Sequence, residues 1–176
     1  MQFLALENGT LRYNKTPPGK TKPFFNETTD ARMNDACVAL DPRMHFALNC
    51  GAKSCPPARK FAKGSVNGEL HVVSLACCSD EVTKVKFSLW DDKDNTETEN
   101  KKAALCLNQT FNWCGADFGS TNKEIGTTVA QWLTGDKKEV LEKHLNNNDN
   151  DLELEFLPCD WTSDALDPMP FNREEF

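Results

Sequence analysis

The spacing of apolar positions changes several times along the chain. From Leu152 to Leu157 the sequence LELEFL alternates, which predicts a strand with Leu152, Leu154 and Phe156 on its buried face. VTKVKFSLW, Val82 to Trp90, alternates in the same way, with Val85, Phe87 and Leu89 together, and AALCL at Ala103 to Leu107 predicts a short strand. Ile125, Val129, Trp132 and Leu133 recur instead at helical spacing, with Thr134-Gly135 as the stop. Val140, Leu141, His144 and Leu145 predict a second helix. LHVVSLACC, Leu70 to Cys78, fits both periods: Leu70, Val73 and Cys77 suit a helix and the Val pair suits a strand. Met44 to Leu48, after an Asp41-Pro42 turn, reads as a short buried strand.

Polar segments separate these elements. Residues 14–30 carry three Pro and predict an extended surface loop. DDKDNTETENKK, Asp91 to Lys102, predicts a mobile charged loop, and the NNNDND tract follows the second helix. There is no internal repeat and no regular strand–helix alternation. The expected fold is therefore α+β, a single domain with a small mixed or antiparallel sheet and helices packed against it. Its expected extent is residues 1–163, followed by a loosely packed acidic tail over 164–176.

Composition narrows the function classes. A chain of 176 residues buries a real core without needing disulfides or metal. The formal charge is -7, and the concentrated cationic face that a phosphate backbone demands is missing, so nucleic acid is not an expected partner. No apolar run approaches the roughly 20 residues that span a bilayer, so no membrane insertion is expected. The N-terminus, MQFLALENGTLR, is too short in its apolar part and too acidic for a secretory signal. That reads as cytoplasmic by default, or secreted if Met1 is not the natural start. Eight Cys is a high count for a reducing compartment, and four Asn-x-Thr sequons would suit export, so the compartment stays open. No CxxC pair is present.

The chemistry concentrates in DPRMHFALNCGAKSCPPARKF, which begins at Asp41. On a regular strand Met44, Phe46, Leu48 and Cys50 share one face, and His45, Ala47 and Asn49 the other. Three readings of His45, Cys50 and Cys55 compete. In the first, Cys50 and Cys55 close the CGAKSC loop as a disulfide, or pack as buried thiols under reducing conditions; a Gly-containing loop of this size brings the two Cα atoms into the required range. In the second, His45, Cys50 and Cys55 ligate a metal with Cys114 or Cys159, on spacings at the edge of those that structural zinc sites use. In the third, Cys50 or Cys55 is a nucleophile of the papain or transglutaminase type, with His45 as base, Asp160 orienting it and Lys53 lowering the thiol pKa. Arg43 pairs with Asp41, or holds a substrate carboxylate if a pocket lies beside His45. Asp117 is expected as a cap for the helix after Gly119, and Trp161 as a core anchor.

ENGTLR at Glu7 to Arg12, a Pro-rich loop, DPRMHFALNCGAKSCPPARKF, FNWCGADFG at Phe111 to Gly119 and PCDW at Pro158 to Trp161 occur in that order. The set resembles the family catalogued as domain of unknown function 547. The resemblance spans Glu7 to Trp161 and is densest in the central motif. The chain departs from the family pattern in two ways: it begins partway into the family's domain, without the preceding helices, and Cys114 and Cys159 stand where the family has Tyr. The resemblance implies no established catalytic chemistry. The family's joining to coiled-coil, glutaredoxin-like or signalling modules implies protein interaction. The resulting expectation is a non-catalytic binding or scaffold module whose CGAKSC loop and FNWCGADFG turn shape a surface for a protein or small-molecule ligand. No resident metal or cofactor is expected. The alternative is a cysteine-dependent hydrolase or acyltransferase using His45, one of Cys50 and Cys55, and Asp160.

Overall fold

The alternating and apolar stretches do pair into a sheet. The computed structural model describes residues 5–17, 19–79, 86–89, 103–146 and 152–162. Strand β1 is Lys86–Leu89, β2 is Ala103–Leu107 and β3 is Leu152–Phe156. Their order is β1-β2-β3: β1 runs antiparallel to β2 with Phe87 opposite Leu105, and β3 runs parallel to β2 with Leu154 opposite Leu105. AALCL takes the centre because it is apolar on both faces. Ala104 on one face and Leu105 and Leu107 on the other are all buried. Charged LELEF takes an edge, with Leu152 buried and Glu153 and Glu155 exposed.

A parallel β2–β3 pair needs a long crossover, and here helices supply it. They are α2 (Gln109–Trp113), α3 (Gly115–Phe118), α4 (Asn122–Ala130) and α5 (Gly135–Asn146); α1 (Val66–Ser79) precedes the sheet. Asn108 caps α2 by accepting from the Thr110 N–H, and Thr121 caps α4 by accepting from the Glu124 N–H. The predicted Ile125, Val129, Leu141 and Leu145 face inward, joined by Val73 of α1, Phe46, Phe111, Phe118 and Trp132 in one core. Phe46 lies at its centre, edge-on to Trp132 at 5.3 Å and tilted against Phe111 and Phe118. The α+β class and the mixed sheet match expectation. No helix among the described residues is long and apolar enough to cross a membrane.

Several local expectations need correction. Leu70–Cys78 is helical, within α1. The helix with Val129 stops at Ala130, and Gly135, with φ at 62°, opens the next helix rather than closing the last. Met44–Leu48 is not a strand: Pro42–Phe46 is a 3-10 turn. The Asp41 carboxylate accepts from the Arg43 N–H at 3.0 Å, and Pro42, pre-set for a helical start, follows that cap. Three residues per turn replace the alternation of a strand, so the neighbours His45 and Phe46 are both buried. Trp161 is no core anchor, being 64% exposed. The Asp91–Lys102 insertion, the tract after Asn146 and the tail from Asp164 lie outside the described residues.

Candidate functional site

ENGTLR folds as a single wide helical turn, Leu6–Leu11, in which the Arg12 N–H donates back to the Glu7 carbonyl at 2.9 Å. The turn gathers Glu7, Asn8 and Arg12 at one place. Behind it the Pro-rich loop is fastened by Asn14, whose side chain donates to the Phe25 carbonyl at 3.0 Å and accepts from its N–H at 2.9 Å.

Arg12 is buried and meets a buried partner from the FNWCGADFG turn. Asp117 accepts from Arg12 Nε at 2.5 Å and Nη2 at 2.9 Å, a two-pronged pair, while Arg12 Nη1 donates to Asn8. Lys15 Nζ reaches the same carboxylate at 2.7 Å, and His45 Nε2 lies 2.9 Å from its Oδ2. Burial acts to raise the Asp117 pKa, but hydrogen bonds from His45, Arg12 and Lys15 outweigh it and hold the carboxyl well below the usual carboxylate range. Asp117 therefore does not cap α4, whose cap is Thr121. It joins three segments far apart in sequence and fixes the plane of the His45 ring, which also packs on Phe118 at 5.4 Å.

The opposite edge of His45 looks into a pocket of about 300 Å³ with largely apolar walls. Its Nδ1 lies 4.0 Å from Glu7 Oε1. Glu7, His45 and Cys114 border the pocket, as do Leu48, Pro56 and Thr110. Cys50, Cys55 and Cys159 bring three further sulfurs to its lining. Ser54 and Asn108 also line it, with Trp113 and Trp161 stacked at 5.4 Å between centroids and 27° between planes and Trp113 44% exposed.

The CGAKSC loop owes its shape to its flanks. Asn49 accepts from the Gly51 N–H and donates to the Pro56 carbonyl, each at 2.7 Å, and Gly51 supplies the φ of 89° that the turn requires. The PCDW segment clamps this loop. Lys53 N–H donates to the Thr162 carbonyl at 2.9 Å, Ser54 N–H to the Asp160 carbonyl at 3.3 Å, and Asp160 N–H to Ser54 Oγ at 2.6 Å. Cys50 and Cys55 then stand with their sulfurs 3.1 Å apart, in contact and unbonded. Burial, then the neighbouring Cys50 thiol, pushes the Cys55 pKa up, and burial pushes Cys114 up to about 11.

The fold thus brings His45, Cys50, Cys55, Cys114 and Cys159 to one pocket and leaves Asp160 and Arg43 with other partners. The carboxylate on His45 is Asp117. Asp160 is exposed, and its carboxylate accepts from Thr162 Oγ1 at 2.6 Å and from the Thr162 N–H at 3.0 Å. These bonds, with a smaller effect of Lys53, lower its pKa. Arg43 pairs with Asp41 at 2.6 Å, as expected, and with Asn67 Oδ1 at 2.7 Å, beside a separate depression bordered by His71 and Trp132. Sequence reasoning missed Glu7, Arg12 and Lys15 and gave Asp117 another task. The available signal was charge: the two quoted motifs ENGTLR and FNWCGADFG each bring an acidic residue, one of them with an Arg, to this site.

The family model described as "Protein of unknown function, DUF547" matches residues 1–75, the part that carries ENGTLR and the DPRMHFALNCGAKSCPP segment. FNWCGADFG and PCDW lie beyond the matched residues and are tied to them through Asp117 and the Asp160 backbone. No curated protein and no solved structure matches the chain.

Proposed function

We propose that this chain, DUF547-like over its first 75 residues, is a non-catalytic binding domain. Its ligand has a small apolar or aromatic body with one hydrogen-bonding end, presented free or as a side chain of a partner protein. The observation that carries this reading is the pocket itself: about 300 Å³, apolar in its walls, rimmed by two stacked and partly exposed Trp, with a few polar groups, Glu7 and His45 beside Ser54, Asn108 and Thr110. Ligand sites have this build, apolar surface for affinity and a few placed polar groups for orientation. Exposed aromatic stacks offer a further face to a flat ligand.

The Cys55 and Cys114 thiols support a structural rather than a nucleophilic role. A cysteine nucleophile needs a depressed pKa, whereas burial raises those of Cys55 and Cys114. Cys50 and Cys55 serve this reading as a loop clasp that closes to a disulfide under oxidising conditions. One observation favours a cysteine enzyme as a second reading: His45 is oriented by a carboxylate on one nitrogen while its other edge shares a pocket with four sulfurs.

Calorimetric titration of the full chain with 2-naphthol tests the first reading. Saturable binding, weakened about tenfold in Trp113→Ala, equivalent to roughly 1.4 kcal/mol, is expected. No saturation at millimolar probe, or equal affinity in the variant, overturns it. A thiol that reacts with iodoacetamide far faster than the others at neutral pH, mapped to Cys50 or Cys55 and slowed in His45→Gln, would favour the enzyme.

A further inference from the structure

The floor of the pocket carries chemistry that an apolar ligand does not require. Glu7, His45 and Cys114 each offer one donor atom, a carboxylate oxygen, a ring nitrogen and a thiol sulfur, and these atoms all lie within 4.8 Å of one another. Three separate segments bring them together: the wide turn at Leu6–Leu11, the 3-10 turn at Pro42–Phe46, and the junction of α2 with α3. Glu7 is half-buried, and His45 and Cys114 are buried.

We propose that Glu7, His45 and Cys114 form a binding site for a zinc-class divalent cation, with the fourth coordination position open to the pocket. Zinc accepts mixed oxygen, nitrogen and sulfur ligands, and three protein ligands with one open position is the pattern of its reactive rather than its structural sites. Bonds of about 2.0–2.3 Å put tetrahedral donors roughly 3.3–3.8 Å apart, so side-chain adjustments on the order of 1 Å close the trio around an ion. A Mg²⁺ or Ca²⁺ site would instead gather several oxygens, and this one offers a single carboxylate.

The arrangement behind His45 is the second observation. Metal-binding imidazoles commonly donate their other ring N–H to a carboxylate, which fixes the tautomer and aims the free nitrogen. Asp117 holds that position on Nε2 at 2.9 Å, and Arg12 and Lys15 keep its carboxylate charged and fixed. Nδ1 is thereby left facing Glu7 and the pocket, on a side chain only 2% exposed. The proposal stands on these donors and holds whether or not an apolar ligand fills the pocket.

The test uses Co²⁺ alone, added to the reduced, chelator-stripped full chain, with the near-ultraviolet thiolate-to-cobalt band as readout. The expected result is one Co²⁺ bound per chain with that band present, displaced by Zn²⁺, and unchanged in the Cys50→Ser/Cys55→Ser double variant. Cys114→Ser should lose the band while its far-ultraviolet circular dichroism shows a folded chain. Glu7→Gln, at a half-buried position, should keep the band and bind at least about tenfold more weakly; it decides the matter should Cys114→Ser fail to fold. A wild-type chain without a saturable band, or a band that disappears with Cys50 and Cys55 rather than with Cys114, overturns the proposal. Failure here leaves 2-naphthol binding to the metal-free chain untouched, so the two readings fail separately.

Discussion

At the scale of residues the molecule turns on Asp117. A carboxylate with no exposed side-chain surface is held by Arg12, Lys15 and His45 at once. Removing one member of a buried charged set leaves the others desolvated and uncompensated. Asp117→Asn is therefore expected to destabilise the chain by about 3–5 kcal/mol, measured by urea unfolding at neutral pH. The same group sets an acid limb. Its pKa in the folded chain lies below the unfolded value, so its stabilisation is fully present above the unfolded pKa of about 3.9 and fades as pH falls towards the folded value. Unfolding free energies measured between about pH 6 and pH 2 should drop more steeply for the wild type than for Asp117→Asn; equal slopes would contradict this account. None of this was legible locally. An Asp three residues after a Cys and before Phe-Gly looks like a helix cap, and only the fold brings it to Arg12, 105 positions away in the chain.

Among elements, the periodic segments were read correctly where packing and pattern agree. LELEF and AALCL form strands, and Ile125–Val129 and Leu141–Leu145 lie on helices, because each has an apolar face that meets the common core. The short segment Met44–Leu48 was misread because five apolar-leaning residues carry no period long enough to separate strand from turn. The Asp41 cap and Pro42 decided it. Close approach also matters at this scale. A Cβ on Gly119 would stand 2.6 Å from Glu124 Cβ and 2.7 Å from the Ile125 nitrogen, at the start of α4, whereas one on Gly68 in α1 meets nothing within 4 Å. Gly119→Ala should therefore cost about 1–3 kcal/mol through overpacking, while Gly68→Ala should stabilise by roughly 0.5–1 kcal/mol through helix propensity. Thermal melts of the two variants, moving in opposite directions, check the packing of α3 against α4.

At the scale of the whole molecule, two distant motifs clamp the central one: FNWCGADFG through Asp117, and PCDW through the backbone of Asp160 and Thr162. Their order in the chain was visible in the sequence, but their convergence was not. The thiols report on this closure. With Cys50 and Cys55 in contact at 3.1 Å on a clamped loop, glutathione disulfide should oxidise that pair first, two thiols forming one disulfide with release of two glutathione thiols. The titratable thiols should fall from eight to six, with the missing pair mapped by mass to Cys50 and Cys55. A bond from either to Cys159 would mean that the loop is not held as described.

The binding pocket is the central claim, and its rim supplies the direct readout. In the ¹⁵N-labelled full chain titrated with 2-naphthol, the indole N–H signals of Trp113 and Trp161 should shift together and saturate. The signal of Trp132, 3% exposed within the core, should hold its position. Signals from Trp113 and Trp161 that stay still, or a shift at Trp132 equal to theirs, would contradict a ligand seated between the stacked pair and His45.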